Sequence, residues 1–148
     1  MTITGIDVKM KRIVDEIKIR ITANTHSVEI AKNIVWGFIK PENPCIDVAS
    51  DIIRAVIETV ENCVIHAYKT PSSKGYIYIS ARIYDNQEFS IEVSDNGCGF
   101  DATKLASDGM GFVVMRNFMD SVSFKSKIGK GTTVLMRKSL ARESEDTE

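Results

Sequence analysis

The chain has no apolar run approaching the roughly 18–20 residues needed to cross a bilayer, so no membrane span is expected. Its start, Met1 to Asp15, carries neither an apolar core nor small residues at a cleavage position, and no secretory signal is visible. A basic surplus is missing too: 19 Lys and Arg against 20 Asp and Glu leave a formal charge of −1. Modules that grip duplex nucleic acid normally show that surplus, so direct nucleic-acid binding is not expected. Cys45, Cys63 and Cys98 are odd in number and form no CxxC pair. His26 and His66 make no zinc-like spacing with them, which speaks for reduced thiols and against a structural metal. Repeats, low-complexity tracts and Pro/Gly/Ser linkers are lacking as well, so one domain is expected. What remains is a soluble, cytoplasmic chain of 148 residues, 43% of them apolar, long enough to bury a core without staples.

Residues 1–15, with the basic cluster Lys9, Lys11 and Arg12, read as an N-terminal extension. The domain is expected over 16–140, and 141–148 as an acidic, disordered tail. Between these ends two periods alternate. Ile17, Ile19 and Ile21 predict a half-buried strand over 16–22, and apolar residues at 3–4 spacing predict a helix over 27–40. After Asn43-Pro44, a longer helix is expected over 46–69, with one broad stripe from Ile46 through Val56 and Cys63 to Ala67. A hairpin follows: Ile77, Ile79, Ala81 and Ile83 alternate with polar residues, Asp85-Asn86-Gln87 turns, and Phe89, Ile91 and Val93 continue. A short helix at 110–119 and strands at 121–126 and 132–138 complete the chain. Each strand has one apolar and one polar face. The order β-α-α-β-β-α-β-β therefore predicts an α+β two-layer α/β sandwich, with an antiparallel or mixed sheet covered by helices on one face.

Four pieces could carry chemistry. The loop Asp95-Asn96-Gly97-Cys98-Gly99-Phe100 follows a strand, yet a lone GxG also fits a plain turn. No third glycine and no βαβ unit support a dinucleotide fingerprint, and no GxxxxGK[ST] exists for a P-loop. Gly109-Met110-Gly111 opens the short helix, where free N–H groups favour an anion, though a turn capped by Asp108 fits equally well. The glycines of Gly129-Lys130-Gly131-Thr132 are explained by a hairpin turn. Glu58, Asn62 and His66, spaced i, i+4, i+8, line one edge of the long helix, away from its stripe. Spacing favours a solvated face there; chemistry keeps open a carboxylate that accepts a hydroxyl proton and an amide oxygen that ligates Mg²⁺.

In conjunction and in this order, the pieces resemble the GHKL (Bergerat-fold) ATP-binding superfamily. Within it the likeness is to bacterial anti-sigma factor serine kinases of the SpoIIAB/RsbW type. IETVENCVIHAY at 57–68, VSDNGCGF at 93–100 and GMGFVVMRNFMDSV at 109–122 carry it, and it runs over most of 16–138. The resemblance implies ATP and Mg²⁺ as cofactors. It implies that Asp95 takes the adenine amino group, that Gly97 and Gly99 let the loop approach the base, and that Thr132 contributes to that pocket. Asn62 would ligate Mg²⁺, Gly109, Met110 and Gly111 would offer backbone N–H groups to phosphates, and Glu58 would be the catalytic base for a serine hydroxyl. His66 is left as structural. The implied partners are a sigma factor, an anti-anti-sigma (STAS) protein as substrate, and a second copy in a homodimer. Tyr76, Tyr78, Arg82 and Tyr84, on the polar side of the hairpin, are residue types suited to that self-association.

Two departures stand out. Only nine residues separate Gly99 from Gly109, and Ala106-Ser107-Asp108 stands where related kinases tend to carry an arginine, with Lys104 the nearest cation. They give weight to a second reading, a nucleotide-dependent sigma-binding switch with little or no kinase activity. An ATP-binding domain detached from a sensor histidine kinase fits less well, since no phospho-accepting histidine segment is visible.

Overall fold

The computed structural model describes residues 11–67, 75–97 and 110–142. The chain runs β1 (Ile13–Thr22), α1 (Ser27–Ile39), a 3-10 turn (Lys40–Glu42), α2 (Ile46–Ala67), β2 (Tyr76–Tyr84), β3 (Glu88–Asp95), α3 (Met110–Phe118), β4 (Ser121–Lys127) and β5 (Gly131–Ser139). The five strands form one sheet in the order β1-β2-β3-β5-β4, and each neighbouring pair is antiparallel. Helices cover one face, as the one-sided strand patterning requires.

The core lies between that face and α2. Ala49, Ile52, Ala55, Val56, Val60 and Cys63 of α2 are buried against Ile77, Ile79, Ala81 and Ile83 of β2 and Phe89, Ile91 and Val93 of β3. Ala31, Val35 and Ile39, four residues apart, bury the matching stripe of α1. Thr59 is a polar member of this layer. Its hydroxyl donates to the Ala55 carbonyl at 2.7 Å and lies 3.4 Å from Met115 Sδ and 3.7 Å from Met136 Sδ, so α2, α3 and β5 meet there. Among the described residues no helix is long and apolar enough to cross a membrane.

Three expectations need adjusting. The first strand begins at Ile13 rather than 16, so residues 13–15, expected in the extension, belong to the sheet. Ile13 and Val14 are consecutive apolar residues that break the two-residue alternation, and the register shifts between Ile13 and Asp15. Ile46, expected in the buried stripe, is 76% exposed at the very start of α2. Glu58 and Asn62, expected on a solvated edge, are half-buried. The acidic residues 143–148 lie outside the described residues. Nearer the core, Leu140 is buried and its N–H donates to the Gln87 carbonyl, closing the sheet over the β2–β3 turn.

Candidate functional site

Asp95 ends β3 on the core-facing side, in the row that contains Ile77 of β2. That position would ordinarily hold an apolar side chain, yet its carboxylate is only 7% exposed. A buried charge needs donors, and the backbone supplies two. The N–H of Gly97 donates to Oδ1 at 2.8 Å, and the N–H of Thr132 donates to the same oxygen at 3.3 Å. Burial pushes the Cys63 thiol up, and the negative charge of the Asp95 carboxylate adds to the rise. The thiol therefore stays protonated and inert.

The start of β5 closes against this carboxylate from the other side. Gly131 has φ +90°, and a Cβ there would lie 2.1 Å from the Asp95 carbonyl oxygen and 3.2 Å from Asn96 Cα. Glycine is required at 131 by this approach as well as by the turn. The next residue, Thr132, is buried, and its hydroxyl shares a 2.8 Å hydrogen bond with that of Ser126 on β4. Ser126 also donates to the Gly131 carbonyl at 3.3 Å. Asn96 Oδ1 accepts from the Tyr76 N–H at 2.7 Å and ties the loop to the first residue of β2.

The structure thus brings together Asp95 at the end of β3, Gly97 in the loop that follows, and Thr132 at the start of β5. Glu58 and Asn62 stand one turn apart on α2. Met110 opens α3, with Gly111 second. Gly99, Gly109 and the segment between them lie outside the described residues. Cys63 and Ser126 were missed by sequence reasoning: a cysteine on an apolar stripe reads as core, and a lone serine that continues the Val122 and Phe124 register of β4 carries no signal.

A carboxylate that is buried but has acceptor capacity left over suits a ligand with an N–H donor, such as an aminopurine. Among the described residues no group of three or more His, Cys, Asp or Glu side chains could hold a metal ion. A cation beside Asn62 would take most of its oxygens from a bound phosphate group and water, which is the habit of Mg²⁺.

The opposite face of the sheet has a different character. Arg20 lies over the Tyr76 ring at 4.5 Å, Arg82 Nε pairs with Glu16 Oε2 at 2.5 Å, and Tyr78 is 44% exposed. The Arg82 guanidinium, by its hydrogen bond, holds the Glu16 carboxyl below its ordinary value. A shallow groove of about 350 Å³ runs between Lys18, Arg20, Tyr78 and Glu92. Strand register places these residues away from Asp95, so the groove is separate from the carboxylate site.

Comparison with known proteins places the chain in a family. Residues 40–138 match the histidine kinase-like ATPase domain family. An anti-sigma F factor of Caldanaerobacter subterraneus subsp. tengcongensis is 36% identical over 137 residues, which cover 84% of this chain and 94% of that protein. One from Clostridium acetobutylicum is 30% identical, covering 86% and 95%. The solved structure of the RsbU and RsbW domains of a Mycobacterium tuberculosis protein superposes with a TM-score of 0.72 at 21% identity, over 90% of this chain and 35% of that one. The last comparison concerns fold alone.

Proposed function

Since the chain belongs to the histidine kinase-like ATPase domain family, on the branch of the anti-sigma F factors, we propose that it is an anti-sigma factor that binds ATP with Mg²⁺, phosphorylates a serine of an anti-anti-sigma (STAS) protein and sequesters a sigma factor in the cytoplasm. The observation that carries the nucleotide reading is the buried Asp95 carboxylate, held on one oxygen by Gly97 and Thr132.

ATP supplies the phosphoryl group, and Mg²⁺ offsets its charge. The chain's own residues do the rest. Asp95 accepts the amino group of the base, which favours adenine over a base with a keto oxygen at that position. Gly97 and Gly131 keep side chains out of the way, and Thr132 closes the pocket. Asn62 offers its amide oxygen to the cation. Backbone N–H groups around Gly109, Met110 and Gly111 meet the phosphates at the start of α3. Glu58 orients the substrate serine and receives its hydroxyl proton, which is worth about 10²–10⁴-fold in rate. Positioning and charge neutralisation dominate such transfers, so Asn62 ranks beside Glu58.

The open sheet face, with Tyr76, Tyr78, Arg82 and Tyr84, is the surface through which two copies associate. A nucleotide-dependent switch with little transfer is the second reading; the mere nine residues between Gly99 and Gly109, with Ala106-Ser107-Asp108 before the second glycine pair, favour it. Incubation with labelled ATP, Mg²⁺ and the cognate STAS protein, alongside Glu58→Ala, separates the two. Label on the partner that disappears in the variant supports the kinase. Intact ATP binding without transfer in the wild type establishes the switch instead.

A further inference from the structure

The nucleotide reading puts phosphates at the start of α3, and the far end of that helix carries a fastening with no role assigned so far. Lys138 continues the core-facing row of β5 after Val134 and Met136, where an apolar side chain would be expected. Its side chain is only 13% exposed. The ammonium donates to the carbonyl of Phe118, the last residue of α3, at 2.5 Å, and to Asp51 Oδ2 on α2 at 3.2 Å. A helix ends in carbonyls without partners of their own and in the negative end of its dipole, so a cation there is doubly suited. One side chain of β5 thus ties α3 to α2.

The contacts also fix how α3 lies. The Arg54 guanidinium stands over the Phe118 ring at 5.6 Å, and the Thr59 hydroxyl lies 3.4 Å from Met115 Sδ. From Phe118 back to Met115 on α3, the contact moves forward along α2 from Arg54 to Thr59, so the two helices run antiparallel. One turn further on each, the backbone at Gly111 comes level with the turn of α2 that carries Asn62. With nine residues α3 is a rod of roughly 13 Å, and a shift at its end is carried to its start.

We propose that Lys138 is a positioning residue for the nucleotide's phosphates: by fastening the end of α3 to Asp51 and β5, it sets where the start of that helix stands beside Asn62. The inference rests on the nucleotide reading above and deepens it. Thr132 and Lys138 occupy opposite ends of β5, so the contacts around Asp95 that would meet the base do not depend on the fastening. Lys138 acts through α3 and takes no chemical step.

The test measures affinity for ATP with Mg²⁺, and for adenosine, which has the base but no phosphate, in wild type, Lys138→Met and Lys138→Arg. Methionine keeps an apolar stem and drops the donors; arginine keeps a cation. Coupling within one hydrogen-bonded network corresponds to roughly a three- to thirtyfold change in an equilibrium constant. Lys138→Met is expected to lose ATP affinity by that factor while adenosine affinity stays within about twofold of wild type. Lys138→Arg should recover most of the loss. Asp51→Asn, which removes one arm and leaves the Phe118 contact, is a gentler form of the same test and should fall between wild type and Lys138→Met. In the nucleotide-free proteins, amide hydrogen exchange over α3 should quicken in Lys138→Met while β2 keeps its protection. Equal losses of ATP and adenosine binding, or no loss in either Lys138→Met or Asp51→Asn, overturn the proposal. Unchanged exchange over α3 does so as well, as does an arginine variant that matches the methionine one. A wild type that binds neither ligand sinks the nucleotide reading and this role with it, while the exchange data separately judge whether Lys138 fastens α3.

Discussion

A Cβ placed on Gly131 would stand 2.1 Å from the carbonyl oxygen of Asp95, a distance no folded backbone tolerates. Two chain segments that are remote in sequence are thereby locked at one point, beside the Asp95 carboxylate. Gly131→Ala is expected to cost about 2 kcal/mol or more, because it combines a clash with a left-handed backbone. Gly129, φ +82°, has nothing within 4 Å of its would-be Cβ. Gly129→Ala should cost only about 1 kcal/mol, the backbone term alone. Thermal denaturation of the pair checks the difference, and equal losses would refute the contact argument.

Asp95→Asn tests the carboxylate. The asparagine can keep one oxygen toward Gly97 and Thr132, so a folded protein is expected. It then offers an amide donor where the base also offers one. Calorimetric titration should show ATP affinity reduced by about 10- to 100-fold, as loss of a charged hydrogen bond implies.

How far the sequence revealed these features varied from element to element. The β2–β3 hairpin was read to its turn because Ile77 to Ile83 alternate without interruption. β1 was entered late because Ile13 and Val14 sit together and a bulge follows. Asp95 was singled out by its motif, but its partnership with Thr132 joins residues 37 apart. Nothing local encodes that closure. Gly131 was explained by a turn, which was only half its reason. Cys63 was absorbed into the stripe of α2, since a thiol counts as apolar until its neighbour is known.

Glu16 and Arg82 predict an acid response. The guanidinium holds the Glu16 carboxyl below its ordinary value of 4.5. A carboxyl lowered in the folded state contributes stability above that value, and loses it as pH falls through the lowered one. Glu16→Gln should therefore be slightly less stable than wild type at neutral pH. The gap should close below pH 4.5, read from denaturant midpoints across the pH series.

Tyr78→Glu addresses the open face. A charge at this half-exposed tyrosine, beside Glu92 across the groove, adds like-charge repulsion where a second copy would sit. Sedimentation is expected to show a monomer, with ATP binding unchanged because Asp95 lies on the other side. A variant that remains dimeric would remove this face from the assembly.

The two outer strands of the sheet carry their own instruction. Among the described residues β1 and β4 each pair on one side only, and both display exposed charge: Lys18 and Arg20 on one, Lys125 and Lys127 on the other. Charged side chains on an edge discourage another strand from adding to it. Growth of the sheet strand by strand, which has no natural end, is therefore opposed at both margins. Association across a face, by contrast, stops when the face is covered. The molecule's borders thus oppose open-ended growth into fibres.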